Sequence, residues 1–99
     1  MIKPVTTNNT IWKFGFSPSN EISITMPKGA EILTLQTVGN NPFIWAFVNS
    51  EAENEKRHFK MYGTGHIIQI KENTMERYIG TYQLYEGTLV FHLWEVIEI

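Results

Sequence analysis

Residues 78–97, Tyr78-Ile79-Gly80-Thr81-Tyr82-Gln83-Leu84-Tyr85-Glu86-Gly87-Thr88-Leu89-Val90-Phe91-His92-Leu93-Trp94-Glu95-Val96-Ile97, decide the fold. Two runs rich in β-branched and aromatic side chains, Tyr78–Tyr85 and Thr88–Ile97, flank Glu86-Gly87, which reads as a two-residue hairpin turn. Successive strand side chains point to opposite faces. Val90, His92, Trp94 and Val96 therefore share one face of the final strand, and Leu89, Phe91, Leu93 and Ile97 the other.

The same period of two extends back along the chain. Trp12, Phe14 and Phe16 fall on one face of a strand over residues 11–16, and Ser17-Pro18-Ser19-Asn20 turns the chain. Ile22, Ile24 and Met26 alternate with polar residues and point inward. Pro27-Lys28-Gly29-Ala30 closes that strand, and residues 31–38 form the next, with Leu33 and Leu35 opposite Thr34 and Gln36. Gly39-Asn40-Asn41-Pro42 is a hairpin signal. Phe43-Ile44-Trp45-Ala46-Phe47-Val48 is apolar throughout, as expected of a central strand covered on both faces or used at an interface. Arg57, Phe59 and Met61 alternate with His58, Lys60 and Tyr62. Gly63-Thr64-Gly65-His66 breaks this strand, Ile67–Ile70 suggests a short extra one, and the polar segment 71–77 suggests a helical turn.

About seven short strands separated by turn residues predict an all-β chain, a single-domain antiparallel sandwich or barrel over residues 1–99. Residues 1–9 are expected to form a flexible or edge N-terminal arm. The chain is 42% hydrophobic and 13% aromatic, which excludes a disordered tail, since such tails lack aromatics. No apolar run approaches the ~20 residues of a membrane-spanning helix, and the first residues lack the apolar stretch of a secretory signal, so no membrane association is expected. The absence of cysteine fits a reducing cytoplasm.

Eight Lys and Arg against ten acidic residues, all of them Glu, give a net charge of −2. Nucleic-acid binders draw affinity from a basic excess, so that class is disfavoured. His58, His66 and His92 lie in separate segments without metal-ligand spacing, so no metal site and no cofactor are expected. None of Ser17, Ser19, Ser23 and Ser50 lies in a nucleophile elbow, and the chain reads as a non-enzyme.

Two features remain as binding candidates. Glycines around Thr64 can leave backbone N–H groups open to a small anion, with Arg57, Tyr62, Thr64 and His66 as the ligand-binding set. The simpler account is a sharp turn. Secondly, an apolar central strand in so short a chain points to self-association as a homo-oligomer, with Trp45, Phe47, Phe91 and Trp94 as interface residues.

Several blocks occur in a fixed order: Ile11-Trp12-Lys13-Phe14, Met26-Pro27-Lys28-Gly29-Ala30, Trp45-Ala46, Arg57-His58-Phe59 and Tyr62-Gly63-Thr64-Gly65-His66. Tyr78-Ile79-Gly80-Thr81-Tyr82-Gln83-Leu84 and Gly87-Thr88-Leu89-Val90-Phe91-His92-Leu93-Trp94-Glu95 follow. Over about residues 10 to 95 this pattern resembles a family of small proteins of unknown function encoded by tailed bacteriophages and prophages. Segment 67–77 fits it least, and the resemblance carries no site residue with it. The resemblance implies a context, the host bacterial cytoplasm, and no mechanism. Together with the small size, mild acidity and aromatic surplus it leads to the expectation of a non-catalytic binding protein with a host or phage protein partner, one that inhibits or modulates a host or anti-phage defence factor. The alternatives are a sponge for a small phosphorylated or cyclic nucleotide, and a minor virion component.

Overall fold

The computed structural model describes residues 8–99, so most of the expected N-terminal arm, residues 1–7, lies outside them. The described chain is all-β: β1 (Asn9–Gly15), β2 (Glu21–Pro27), β3 (Glu31–Val38), β4 (Asn41–Asn49), β5 (Asn54–Gly63), β6 (Thr74–Leu84) and β7 (Leu89–Glu98). They form two antiparallel sheets packed as a sandwich, one of order β1-β4-β3 and one of order β2-β5-β7-β6. No helix among the described residues is long and apolar enough to cross a membrane.

Strand alternation, read from the sequence as inward for Ile24 and Met26, sets the core on every strand. Ile24 and Met26 of β2, Ile44, Ala46 and Val48 of β4, Phe59 and Met61 of β5, Tyr82 and Leu84 of β6 and Leu93 of β7 are buried between the sheets. The expected two-residue turn is longer: Leu84 and Leu89 are the last paired residues, so the hairpin loop is residues 85–88, with positive φ at Tyr85, Glu86 and Gly87 (50°, 56° and 87°) and Thr88 N–H donating to Tyr85 C=O.

The sheets approach closely where β3 meets β6. Here each strand carries one extra residue, Leu33 between Ile32 and Thr34, and Ile79 between Tyr78 and Gly80. Such bulges bend a strand and increase its twist, which lets two edges converge. Gly80 provides the clearance, since a β-carbon there would stand 3.2 Å from Leu35 Cδ2. The bulge also explains why Leu33 is exposed while Leu35 packs on the core.

Two local expectations are corrected. Residues 67–70 pair with no strand, and 71–77 holds no helical turn, because β6 already begins at Thr74. The polar residues of early β6 are stabilised by partners remote in sequence, Glu76 by Tyr62 and Arg77 by Glu95.

The segment between β5 and β6 follows from topology. Both strands are antiparallel to β7 and so parallel to each other. Gly63 lies beside Phe91 and Thr74 beside Glu98, so residues 64–73 return along seven residue steps of β7, roughly 23 Å at ~3.3 Å each. Ten residues cover that distance only when largely extended. They cross the outer face of the four-stranded sheet, with Ile67, Gln69, Ile70 and Lys71 bordering a cleft above Lys60 and Tyr62.

Candidate functional site

The two outer faces of the sandwich differ in chemistry. On the three-stranded sheet, the side chains of β4 opposite Ile44, Ala46 and Val48 are Phe43, Trp45 and Phe47, all half-buried. Phe43 and Trp45 meet edge to face at 5.8 Å, and Lys13 Nζ sits 4.6 Å from the centre of the Phe43 ring. Ile11 and Glu31 flank Phe47, and Thr34 flanks Trp45. No third layer of the described residues covers this aromatic row.

The outer face of the four-stranded sheet is polar and partly roofed by the crossover. The Glu76 side chain is wholly inaccessible there. Its Oε1 accepts a hydrogen bond from Tyr62 OH at 2.6 Å, while Oε2 lies 3.5 Å from Lys60 Nζ and accepts no hydrogen bond. Burial first, and then the bond to Glu76, push the Tyr62 phenol well above its ordinary pKa. Lys60 and Lys71 border two clefts beside the crossover, of about 320 and 890 Å³, and the larger also includes Tyr62 and His66.

Farther along this face, His92 is held on both ring nitrogens. Nδ1 lies 2.8 Å from Thr81 Oγ1 and Nε2 lies 2.7 Å from Thr64 Oγ1. Tyr78 OH continues the chain to Thr81 at 2.5 Å, and its ring packs on Trp94. The imidazole thus joins the start of the crossover to β6 and β7.

Arg57 points to the other side of its sheet. Its Nε and Nη2 donate to Glu95 at 2.5 and 3.0 Å, and Nη1 donates to the Ala30 carbonyl at 2.7 Å. Arg77 Nη2 adds a 2.6 Å bond to the same carboxylate. Burial by itself would raise the Glu95 pKa, but hydrogen bonds and charge from Arg57, then Arg77, outweigh it and hold the carboxyl below its ordinary value.

The residues expected to bind a ligand therefore do not converge as a set. Tyr62, Thr64 and His66 lie at one end of β5, where the His66 ring packs over Gly63 so closely that a β-carbon there would meet it at 2.9 Å. Arg57 is six residues from Gly63, faces the interior, and is occupied by Glu95. The four expected interface residues also separate. Trp45 and Phe47 lie on the outer face of one sheet, Trp94 on that of the other, and Phe91 packs against Tyr82 at 5.6 Å. Sequence reasoning missed Glu76, because its polar surroundings suggest a solvated helix. It also missed the pairing of Glu95 with Arg57, 38 residues apart, for which no local signal exists.

Together these features define a small two-sheet β-sandwich with an uncovered aromatic face on one side and a roofed polar face on the other. Residues 7–98 match the family described as "Domain of unknown function (DUF7352)", and the chain belongs to that family. No curated protein and no solved structure is a match to it.

Proposed function

We propose that this is a phage-encoded accessory protein of the host cytoplasm that acts as a non-catalytic binding module. It self-associates and inhibits or modulates a host or anti-phage defence factor by contact. The carrying observation is the row Phe43, Trp45 and Phe47 on the uncovered face of the three-stranded sheet. Aromatic side chains anchor protein interfaces because each removes a large apolar area from water with few rotatable bonds. Thr34 and Glu31 beside the row supply the polar rim that such a surface needs. Phage origin draws on the sequence resemblance described above. The test is affinity capture from infected cells with wild-type protein and with Trp45→Thr, which keeps strand propensity and removes the ring. A discrete partner retained by the wild type and lost by the variant supports the reading. Equal capture by both, from folded proteins, overturns it.

The clefts beside the crossover favour a second reading, a sponge for a small phosphorylated nucleotide held by Lys60, Lys71, Tyr62 and His66. Thermal stability in the presence of cyclic and linear nucleotides tests it, because a ligand that binds only the folded state must raise stability.

A further inference from the structure

We propose that residues 67–70 are a strand awaiting its neighbour. An extended peptide of a protein partner, carrying one acidic side chain, pairs its backbone with this segment and lies in the groove beside it. The surface is on the opposite side of the sandwich from the aromatic row. It shares with the reading above only the premise that the partner is a protein.

Ile67-Ile68-Gln69-Ile70 has the composition of a strand, since isoleucine is β-branched and suits a pleated surface. Topology draws it straight, because the crossover must span the length of β7 between two anchors. At one anchor His66 N–H donates to Gly63 C=O, and Thr64 holds His92. At the other, Lys71 C=O accepts from both the N–H and the hydroxyl of Thr74. Between them, the backbone groups of Ile67, Ile68, Gln69 and Ile70 make no hydrogen bond to any of the described residues. The three isoleucines are exposed by 82%, 42% and 55%. Such a stretch presents the same ladder of donors and acceptors as the edge of a sheet. Another extended backbone matches that ladder along its length, and a compact ligand does not.

The groove has the shape for it. The two clefts beside the crossover meet at Glu21, Lys60 and Lys71, which border both. Together they follow the outer face of β5 from Tyr62 past Lys60 to His58, four residue steps or roughly 13 Å. The crossover forms one wall and the start of β2 the other. A second copy of this chain is excluded as a symmetric occupant. Its segment would pair about a two-fold axis perpendicular to the ribbon, placing both sandwiches beneath one ribbon only ~4.8 Å apart.

The lysines define the side chain that is recognised. Lys60 faces Glu76 Oε2 at 3.5 Å without a hydrogen bond, and the Lys71 ammonium has no partner among the described residues. Both keep N–H donors free where the clefts meet, and a carboxylate there accepts from both in charge-assisted bonds. Glu21 beside them and Glu98 at one end repel further negative charge, so one acid flanked by neutral residues fits and an acidic run does not.

The experiment is selection of displayed random heptapeptides on the immobilised protein, then amide exchange of the full chain by NMR with the selected peptide added. Expected is a peptide with one central Asp or Glu that slows exchange within 67–70 and leaves β4 unchanged. N-methylation at alternate peptide residues removes backbone donors and keeps the side chains. It should abolish binding in one phase and spare it in the other, because every second residue bonds to a neighbouring strand. Lys71→Glu, at an exposed position, should weaken binding at least about tenfold, the worth of one hydrogen bond to a charged group. Binding that survives both methylation patterns and Lys71→Glu but is lost with Trp45→Thr overturns this surface and leaves the aromatic face as the contact. Selection of no peptide also overturns it, while capture through Trp45 keeps its own test. Slowed exchange within 67–70 by a cyclic nucleotide, with no peptide selected, overturns it in favour of the sponge.

Discussion

The carboxylate of Glu95 is the most consequential charge in the fold, and its removal has a calculable cost. Arg57 is 13% exposed at its side chain and Glu95 5%, so neither group has water to fall back on. In Glu95→Ala the Arg57 guanidinium keeps one hydrogen bond among the described residues, to the Ala30 carbonyl, and the more distant charges of Glu55 and Glu31. Breaking a buried pair from one side costs about 3–5 kcal/mol, because an uncompensated charge stays behind. A domain of this size loses ~4–8 °C in Tm per kcal/mol, so the midpoint should fall by at least about 12 °C in a thermal melt. Replacing both partners, as Arg57→Met with Glu95→Leu, should restore most of the loss, since it removes the stranded charge. Arg77→Ala should cost only about 1 kcal/mol or less, because Arg77 is 55% exposed and its pair is screened. The pH dependence has a fixed sign. The Glu95 pKa is lower folded than unfolded, so its contribution is present above the unfolded carboxyl value of ~4.3 and is lost as pH falls through the folded value. The gap between wild type and Glu95→Gln should therefore narrow steadily below about pH 4. A Glu95→Ala cost below about 1 kcal/mol, or a gap that does not narrow in acid, would refute the buried-pair account.

Three further outcomes follow from particular contacts. Gly80→Val should destabilise by about 1–3 kcal/mol, because even its β-carbon meets Leu35, and Leu35→Ala in the same chain should recover part of that in chemical denaturation. Tyr62 and Tyr82 both have pKa values raised above 10.0, the first by burial and then Glu76, the second by burial. Neutral phenols thus stabilise the fold below the unfolded value, and stability should drop as pH rises above about 10, less steeply in Tyr62→Phe than in wild type. Tyr85 carries a positive φ of 50°, which costs a non-glycine residue roughly 1 kcal/mol, so Tyr85→Gly should be neutral or stabilising in a thermal melt despite the loss of a side chain.

Strand alternation made the fold legible, because one buried face imposes a period of two on every strand. It assigned Ile24 and Met26 to the core and set Phe59 with Met61, and Leu93 with Phe91, on shared faces that the second sheet then buries. It failed where stabilisation comes from partners far along the chain. Residues 71–77 suggest a helical turn because Glu76 and Arg77 find Tyr62, Lys60 and Glu95 only after folding. Bulges at Leu33 and Ile79 were equally hidden, since one extra residue leaves little trace in composition. The candidate sites show the same division. Trp45 and Phe47 were legible as side chains in need of a cover, and they lie uncovered on one sheet. The expected grouping of Arg57 with Tyr62, Thr64 and His66 spans both faces of β5, which the alternation of Arg57 against Tyr62 already made legible; what was not legible is the Glu95 carboxylate that occupies Arg57. A continuously apolar strand states that both faces are apolar; which face meets solvent depends on the second sheet.

The claim on which the rest depends is that the outer face of β4 is a contact surface for another protein. Site-specific photo-crosslinking in infected cells tests it most directly, with the photoreactive residue at position 45 and a control at exposed Tyr85. A discrete adduct with a second protein species at position 45, absent at position 85, is the predicted result. Equal labelling at both positions, or none at 45 while the protein is folded and abundant, would contradict the account.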